Sequence, residues 1–378
     1  MLRAINEKFG IGMFTRSLVT ALLDLDDRNE YVLFYRAPAD MGGFNRRRNV
    51  REVLVTAPTK ALWDQVGMPI AAARAGVDVL LHTKFTVPLL ARCKTMMIAH
   101  GASWFTHPEL YGRLDVLYIR LMMPRYCRRA DAVLSNSRLT TDDFVRFLGV
   151  PREKLATIHA AADPRFQPIA DDAEGQRIRD RYGLPERFLL TVGRYDPRKN
   201  LATLVTAFET SQARRQGVKL VMVGGGADAC RRDLEIDARG LGDSIVFTGY
   251  VEQADLPAFY SLASAFVFPS VYEEFGIPLC EAMMCGCPII ASNTGAIPEI
   301  TGGAALLAAP FDAPAFADAI DRLLGDEALS TSLRTRGLAR ARAFTWSRSA
   351  AETLRVIEAV AAGATDIRGE ADRRPPSP

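Results

Sequence analysis

Ten short apolar runs, separated by segments of helical period, limit the folds open to this 378-residue chain. The first half carries YVLFYR (31–36), EVLVT (52–56), DVLLH (78–82), TMMIA (95–99) and DAVLSNS (131–137). The second carries RFLLTVG (187–193), KLVMVG (219–224), SIVFTG (244–249), AFVFP (265–269) and PIIAS (288–292). Each is nearly continuous rather than alternating, the pattern of parallel strands buried on both faces. Between runs the period becomes helical. In 313–324, Phe316, Ile320, Leu323 and Leu324 share one face, and Asp312 can cap the start. Strand and helix alternating in both halves predict an α/β protein of two Rossmann-like doubly wound domains.

Composition fits that class and excludes others. A chain 48% hydrophobic and 24% charged is not disordered throughout. No apolar run approaches the roughly 18 residues of a membrane span. MLRAINEKFG has no apolar core for a secretory signal, and the six cysteines make no disulfide framework. Cys285 and Cys287 form a C-x-C with neither a second pair nor a nearby histidine, so no zinc set is expected. A reduced, cytoplasmic protein is the expectation. Charge is uneven: residues 1–165 hold 24 Lys and Arg against 16 Asp and Glu, the remainder 23 against 28. One basic cluster is Arg46–Arg48. Another is Arg120, Arg125, Arg128 and Arg129, interleaved with Leu117, Tyr118, Leu121, Met122 and Met123. The commoner reading is a solvated helix face plus a loop; the alternative is a peripheral contact with an anionic inner membrane face. No nucleic-acid motif accompanies the charge, so nucleic acid is not an expected partner.

The turn residues of Asp163–Pro168 and the polar run 170–176 predict a boundary. Domains are expected at 1–165 and 166–346, then a helix at 347–363 and a tail without structure at 364–378. Only eight residues precede FGIG, and MLRAINEK is a poor strand. The first strand of the first domain is therefore expected to be short or missing.

Ligands of such sheets bind at the carboxyl ends of the strands. Three places there carry chemistry. Gly193–Asn200 offers Arg194, Arg198 and Lys199 directly after a strand, a fork and a movable charge suited to a diphosphate. In 269–283 a strand ends in a loop, and Pro278 is placed to open the next helix. Free N–H groups of Phe275, Gly276 and Ile277 would make an anion site from backbone. Glu273 and Glu281, eight residues apart, need another task beside phosphate; accepting hydrogen bonds from sugar hydroxyls fits. The third place is 97–111, where His100 ends a strand, while Gly10 and Gly12 form an N-terminal loop that backbone could use to approach a phosphate.

Together G-R-x-D-P-R-K-N, P-S-x-Y-E-x-F-G-I-P-x-x-E-A-M, C-G-x-P-I-I-A-S-N and Gly295-Ala296-Ile297-Pro298-Glu299 resemble the retaining glycosyltransferases of family 4, from about residue 9 to about residue 350. The resemblance implies the GT-B fold: two Rossmann-like domains facing across a cleft, the last helix crossing back to the first. The first domain would bind the acceptor and the second a nucleotide sugar. Arg194 and Lys199 match the cations on the donor diphosphate, and Glu273 the acid that holds sugar hydroxyls. Phe275, Gly276 and Ile277 match backbone contacts to sugar and phosphate, and Glu281 the acid on the ribose. Gly12 matches the loop glycine near the diphosphate, and His100 a histidine on the donor sugar. Glu274 replaces a common glycine and Gly101 a frequent aspartate, which leaves the sugar open.

The implied reaction moves a hexose, mannose or glucose, from a nucleotide diphosphate sugar to a saccharide or lipid-linked acceptor. No metal or other cofactor is expected, because Arg194, Lys199 and a helix N-terminus can stabilise the leaving diphosphate. Asp24-Leu25-Asp26 matches the D-x-D of metal-dependent transferases but lies at a helix end, away from the strand carboxyl ends. The alternatives are a GT-B nucleotide-sugar epimerase and a non-catalytic binding protein that kept the donor site. A nicotinamide dehydrogenase is disfavoured, since no G-x-G-x-x-G follows a strand.

Overall fold

A computed structural model describes residues 10–369. They divide into two compact units. One ends at Ala160 and resumes at Trp346; the other is the continuous stretch Ala161–Thr345.

In the first unit β1 (Tyr31–Tyr35) and β2 (Val50–Leu54) form a parallel pair. A parallel four-stranded sheet follows in chain order: β3 (Val79–His82), β4 (Lys94–Ala99), β5 (Ala132–Ser135) and β6 (Leu155–Thr157). Phe34, Val55, Trp63, Met68, Ala72 and Leu80 form one cluster, so a single apolar layer covers strands of both sheets. The expectation about the first strand concerns residues outside the described range. Two helices matter to function here, α1 (Ile11–Leu25) and α2 (Arg113–Arg129).

The second unit has six parallel strands: β7 (Phe188–Val192), β8 (Lys219–Val223), β9 (Ile245–Gly249), β10 (Ala265–Phe268), β11 (Ile289–Ser292) and β12 (Ala305–Ala308). Their order across the sheet is β12-β11-β10-β7-β8-β9. It reverses direction between β7 and β10, the switch point at which open α/β sheets bind ligands. Phe188, Leu189, Leu190, Phe266, Val267, Ile289 and Ile290 are fully buried, as near-continuous apolar strands require. The helix expected over 313–324 is present as Ala313–Gly325, and Asp312 accepts the N–H of Ala315. Also in this unit are α3 (Leu201–Thr210), after the basic turn, and α4 (Ile277–Met284).

All ten apolar runs contain strands. The two that the sequence pattern did not show are edge strands: β6 has only three residues, and β12 is mostly part-exposed rather than buried on both faces. The chain joins the second unit at Ala161, ahead of the expected 165/166 boundary. Phe166 explains this: it is buried with its ring edge-on to Tyr260, 6.0 Å away. The last helix, α5 (Trp346–Ala361), packs along α1 through Leu22, Ala350 and Leu354. Burying two leucines is worth about 1.5–3 kcal/mol each, against about 1 kcal/mol for a hydrogen bond, so the docking is mainly apolar. Such a bond runs from Ser349 Oγ to the carbonyl of His159, at 2.6 Å. The tail expected to lack structure from 364 is instead packed as far as described. Ile367 is buried, its N–H bonds Glu153 O at 2.9 Å, and Arg355 reaches its carbonyl at 2.7 Å.

Candidate active site

The basic turn and the acidic loop meet at the carboxyl ends of β7 and β10. Val192 leads into Gly193, and Pro197–Lys199 make one 3₁₀ turn capped by Asp196. The three cations have different fates. Arg198 is spent on Asp196, with Nε 3.1 Å from Oδ1 and Nη2 3.2 Å from Oδ2. Arg194 is exposed and makes no hydrogen bond or ion pair among the described residues. Lys199 Nζ lies 2.6 Å from Glu273 Oε1 and 4.8 Å from the centre of the Phe268 ring. The structure thus joins Lys199 and Glu273, 74 positions apart.

Asn200 fixes this turn. It has a φ of 51°, and its side-chain amide bonds the carbonyls of Pro269, at 3.1 Å, and Pro310. The acidic loop is fixed by backbone. Ala296 N donates to Glu273 O at 2.9 Å. A Cβ on Gly295, whose φ is +59°, would stand 2.5 Å from that oxygen and 2.8 Å from Glu273 N. Only glycine permits this approach. Gly224 does the same for the basic turn, since a Cβ there would lie 2.2 Å from Gly193 O. The sequence pattern gave no role to Asn200, Gly224 or Gly295: Asn200 and Gly295 belong to motifs whose neighbours carried the chemical signal, and Gly224 ends an apolar run.

α4 opens at Ile277, with Gly276 preceding it and Pro278 in its first turn. The N–H groups of Gly276 and Ile277 make no hydrogen bond among the described residues, leaving two donors at a helix N-terminus. Phe275 is buried, its ring edge-on to Phe344 at 5.7 Å. Glu281 is the fifth residue of α4. It is buried and accepts the Tyr260 hydroxyl at 2.8 Å. Burial pushes its carboxyl up to about 7; Tyr260 opposes the shift and Asp163 adds to it. Nothing in the sequence pointed to Tyr260, which lies 21 positions away.

In the first unit His100 directly follows β4. Its Nε2 lies 2.7 Å from the carbonyl of Thr83, which only an N–H can satisfy. Nδ1 therefore carries the lone pair. Burial lowers its pKa to about 4, so the ring is neutral at physiological pH. Phe14 of α1 meets the imidazole edge-on at 5.0 Å. Gly12 corrects an expectation. It is not in a loop, because α1 begins at Ile11 directly after Gly10, and Gly12 is buried in its first turn. The D-x-D carboxylates are occupied structurally. Asp24 pairs with Arg47, while Asp26 is buried and accepts from Asn29 and Tyr31, both at 2.6 Å.

Arg194, Lys199, Glu273 and the N–H groups of Gly276 and Ile277 thus lie after strand ends of a Rossmann-like unit, with Glu281 buried in the helix behind them. Comparison with known proteins identifies the family. Residues 10–166 match Glycosyltransferase Family 4, and residues 176–340 match Glycosyl transferases group 1. O-antigen chain mannosyltransferase B of Escherichia coli is 30% identical over 259 residues, 68% of each chain. Serotype-specific mannosyltransferase WbdA of Escherichia coli is 31% identical over 227 residues, 59% of this chain but 28% of the longer WbdA. Among solved structures, sucrose-phosphate synthase from Thermosynechococcus elongatus aligns with a TM-score of 0.73 at 25% identity, covering 94% of each chain. The fold is GT-B. The chain belongs to the family 4, group 1 glycosyltransferases, and the protein is a glycosyltransferase.

Proposed function

We propose that the protein transfers a hexosyl residue, mannosyl or glucosyl, from a nucleotide diphosphate sugar to a saccharide or lipid-linked acceptor, with retention and without a metal. The observation that carries the donor reading lies within the second unit. Unengaged Arg194, Lys199 on Glu273 and the free N–H groups of Gly276 and Ile277 all follow β7 or β10. As the sugar–oxygen bond breaks, charge grows on the departing diphosphate. Arg194, Lys199 and the N-terminus of α4 supply positive potential for it. Glu273 accepts sugar hydroxyls and Glu281 those of the ribose. His100, neutral with its proton committed to Thr83, offers Nδ1 as an acceptor to the sugar. Phe275 fixes the loop from its buried side. Mannose is favoured over glucose because the two Escherichia coli relatives named above are mannosyltransferases.

A cytoplasmic enzyme with peripheral contact to an anionic membrane face is the second part of the reading. No described helix is long and apolar enough to cross a membrane. Yet α2 leaves Leu114 81%, Leu117 55% and Leu121 52% exposed, beside Arg113, Arg120, Arg125 and Arg128. Apolar side chains flanked by arginines on one outer face suit an anionic bilayer surface, where a lipid-linked acceptor would lie.

Melting temperature with ADP, GDP, UDP and their sugars, with and without EDTA, tests the donor reading. A rise with one base, unchanged by EDTA, is the expected outcome. No rise with any of them sinks it. Consumption of donor without acceptor would favour an epimerase.

A further inference from the structure

The contact between Lys199 and Glu273 bears on more than binding. Both groups are held from outside the pair. The Lys199 stem lies across Gly193, its methylenes 3.5–3.9 Å from where a Cβ would stand, and its ammonium sits over Phe268. Glu273 is clamped by Ala296 and Gly295. The side chains are only 23% and 17% exposed, so water replaces a lost partner poorly. Arg194, by contrast, is exposed and engages no partner among the described residues.

We infer that the Lys199–Glu273 ion pair makes the donor site discriminate a nucleotide sugar from the bare nucleoside diphosphate. This deepens the donor reading and rests on it. A diphosphate without a sugar draws Lys199 away and leaves Glu273 half-buried, unpaired and facing a second anion. A nucleotide sugar draws Lys199 equally, but its hydroxyls donate to Glu273 and replace the lost ammonium. The same pair favours product departure. Once the sugar has moved to the acceptor, Glu273 loses its hydroxyl partners and reclaims Lys199 from the diphosphate.

The test is a double-mutant cycle on the full chain, reading the Kd of the preferred nucleoside diphosphate and of its sugar by calorimetry. Glu273→Gln, nearly isosteric, should tighten the bare diphosphate by roughly tenfold and weaken the nucleotide sugar. Simple removal of charge repulsion could also tighten the diphosphate. The Lys199→Ala background separates the two causes. Release of Lys199 predicts a Glu273→Gln gain several-fold smaller there than in the wild type. An equal or larger gain in that background, or no gain in the wild type, overturns the inference while leaving the donor reading intact. Undiminished diphosphate affinity in Lys199→Ala alone overturns the phosphate assignment, and the inference with it. Melting curves of each variant without ligand separate binding loss from misfolding.

Discussion

Arg194 and Glu281 stand at opposite extremes of solvation, and their predictions differ in kind. Arg194 is exposed and unengaged among the described residues, so its loss should not disturb folding. A charge-assisted contact is worth about 1.5–3 kcal/mol, or about ten- to a few hundredfold in rate if made in the transition state. Arg194→Ala should lower turnover by that factor with an unchanged melting temperature; steady-state kinetics and a thermal melt check both. Glu281 is buried and titrates near 7 in the folded chain, above its ordinary value of 4.5. Between those values the folded state keeps a proton that the unfolded chain releases. Stability from this group is therefore complete below about 4.5, falls as pH rises through 7, and levels off above it. Glu281→Gln removes the titration. Urea unfolding should show the variant gaining about 1–3 kcal/mol on the wild type between pH 5 and pH 8, while donor affinity falls. An equal pH dependence in both proteins would locate the titration elsewhere.

At the scale of elements, the site depends on loops touching backbone to backbone where parallel strands end. Gly295→Ala puts a Cβ 2.5 Å from the Glu273 carbonyl and moves the acid off Lys199. It should cost about 1–3 kcal/mol of stability and reduce transfer more than diphosphate binding, since the basic turn stays in place. Parallel denaturation, kinetics and calorimetry measure that split. The outer face of α2 makes a separate prediction. Leu114, Leu117 and Leu121 are exposed, so replacing all three by serine should leave folding untouched. Flotation with vesicles of anionic lipid should fall at least severalfold, while the rate on a short soluble acceptor stays the same. Unchanged flotation would return α2 to an ordinary solvated face.

Over the whole molecule, the chain leaves its first unit once and returns to it. α5 covers Leu22 of α1, Trp346 meets Phe14 edge-on at 5.3 Å, and Phe14 touches His100. A chain ending at Thr345 keeps every strand of the second unit and strips the support behind His100. Hydrogen exchange should accelerate in β3–β6 and α1 and stay unchanged in β7–β12. Uniform acceleration would show that the two units unfold together.

The sequence by itself determined the fold class. Continuous apolar runs permit little besides parallel strands buried on both faces, and ten of the twelve described strands were legible that way. It also determined the candidate residues, because cations, acids and a helix-opening proline at strand ends imply a ligand. Only the tertiary structure decided which groups are engaged. Arg198 and Lys199 are neighbours in sequence, yet one is committed to Asp196 and the other to Glu273. Tyr260 sets one side of Glu281, and Thr83 sets the tautomer of His100. Ion pairing, tautomer and pKa depend on distance and burial, and those follow from long-range packing that no local pattern records.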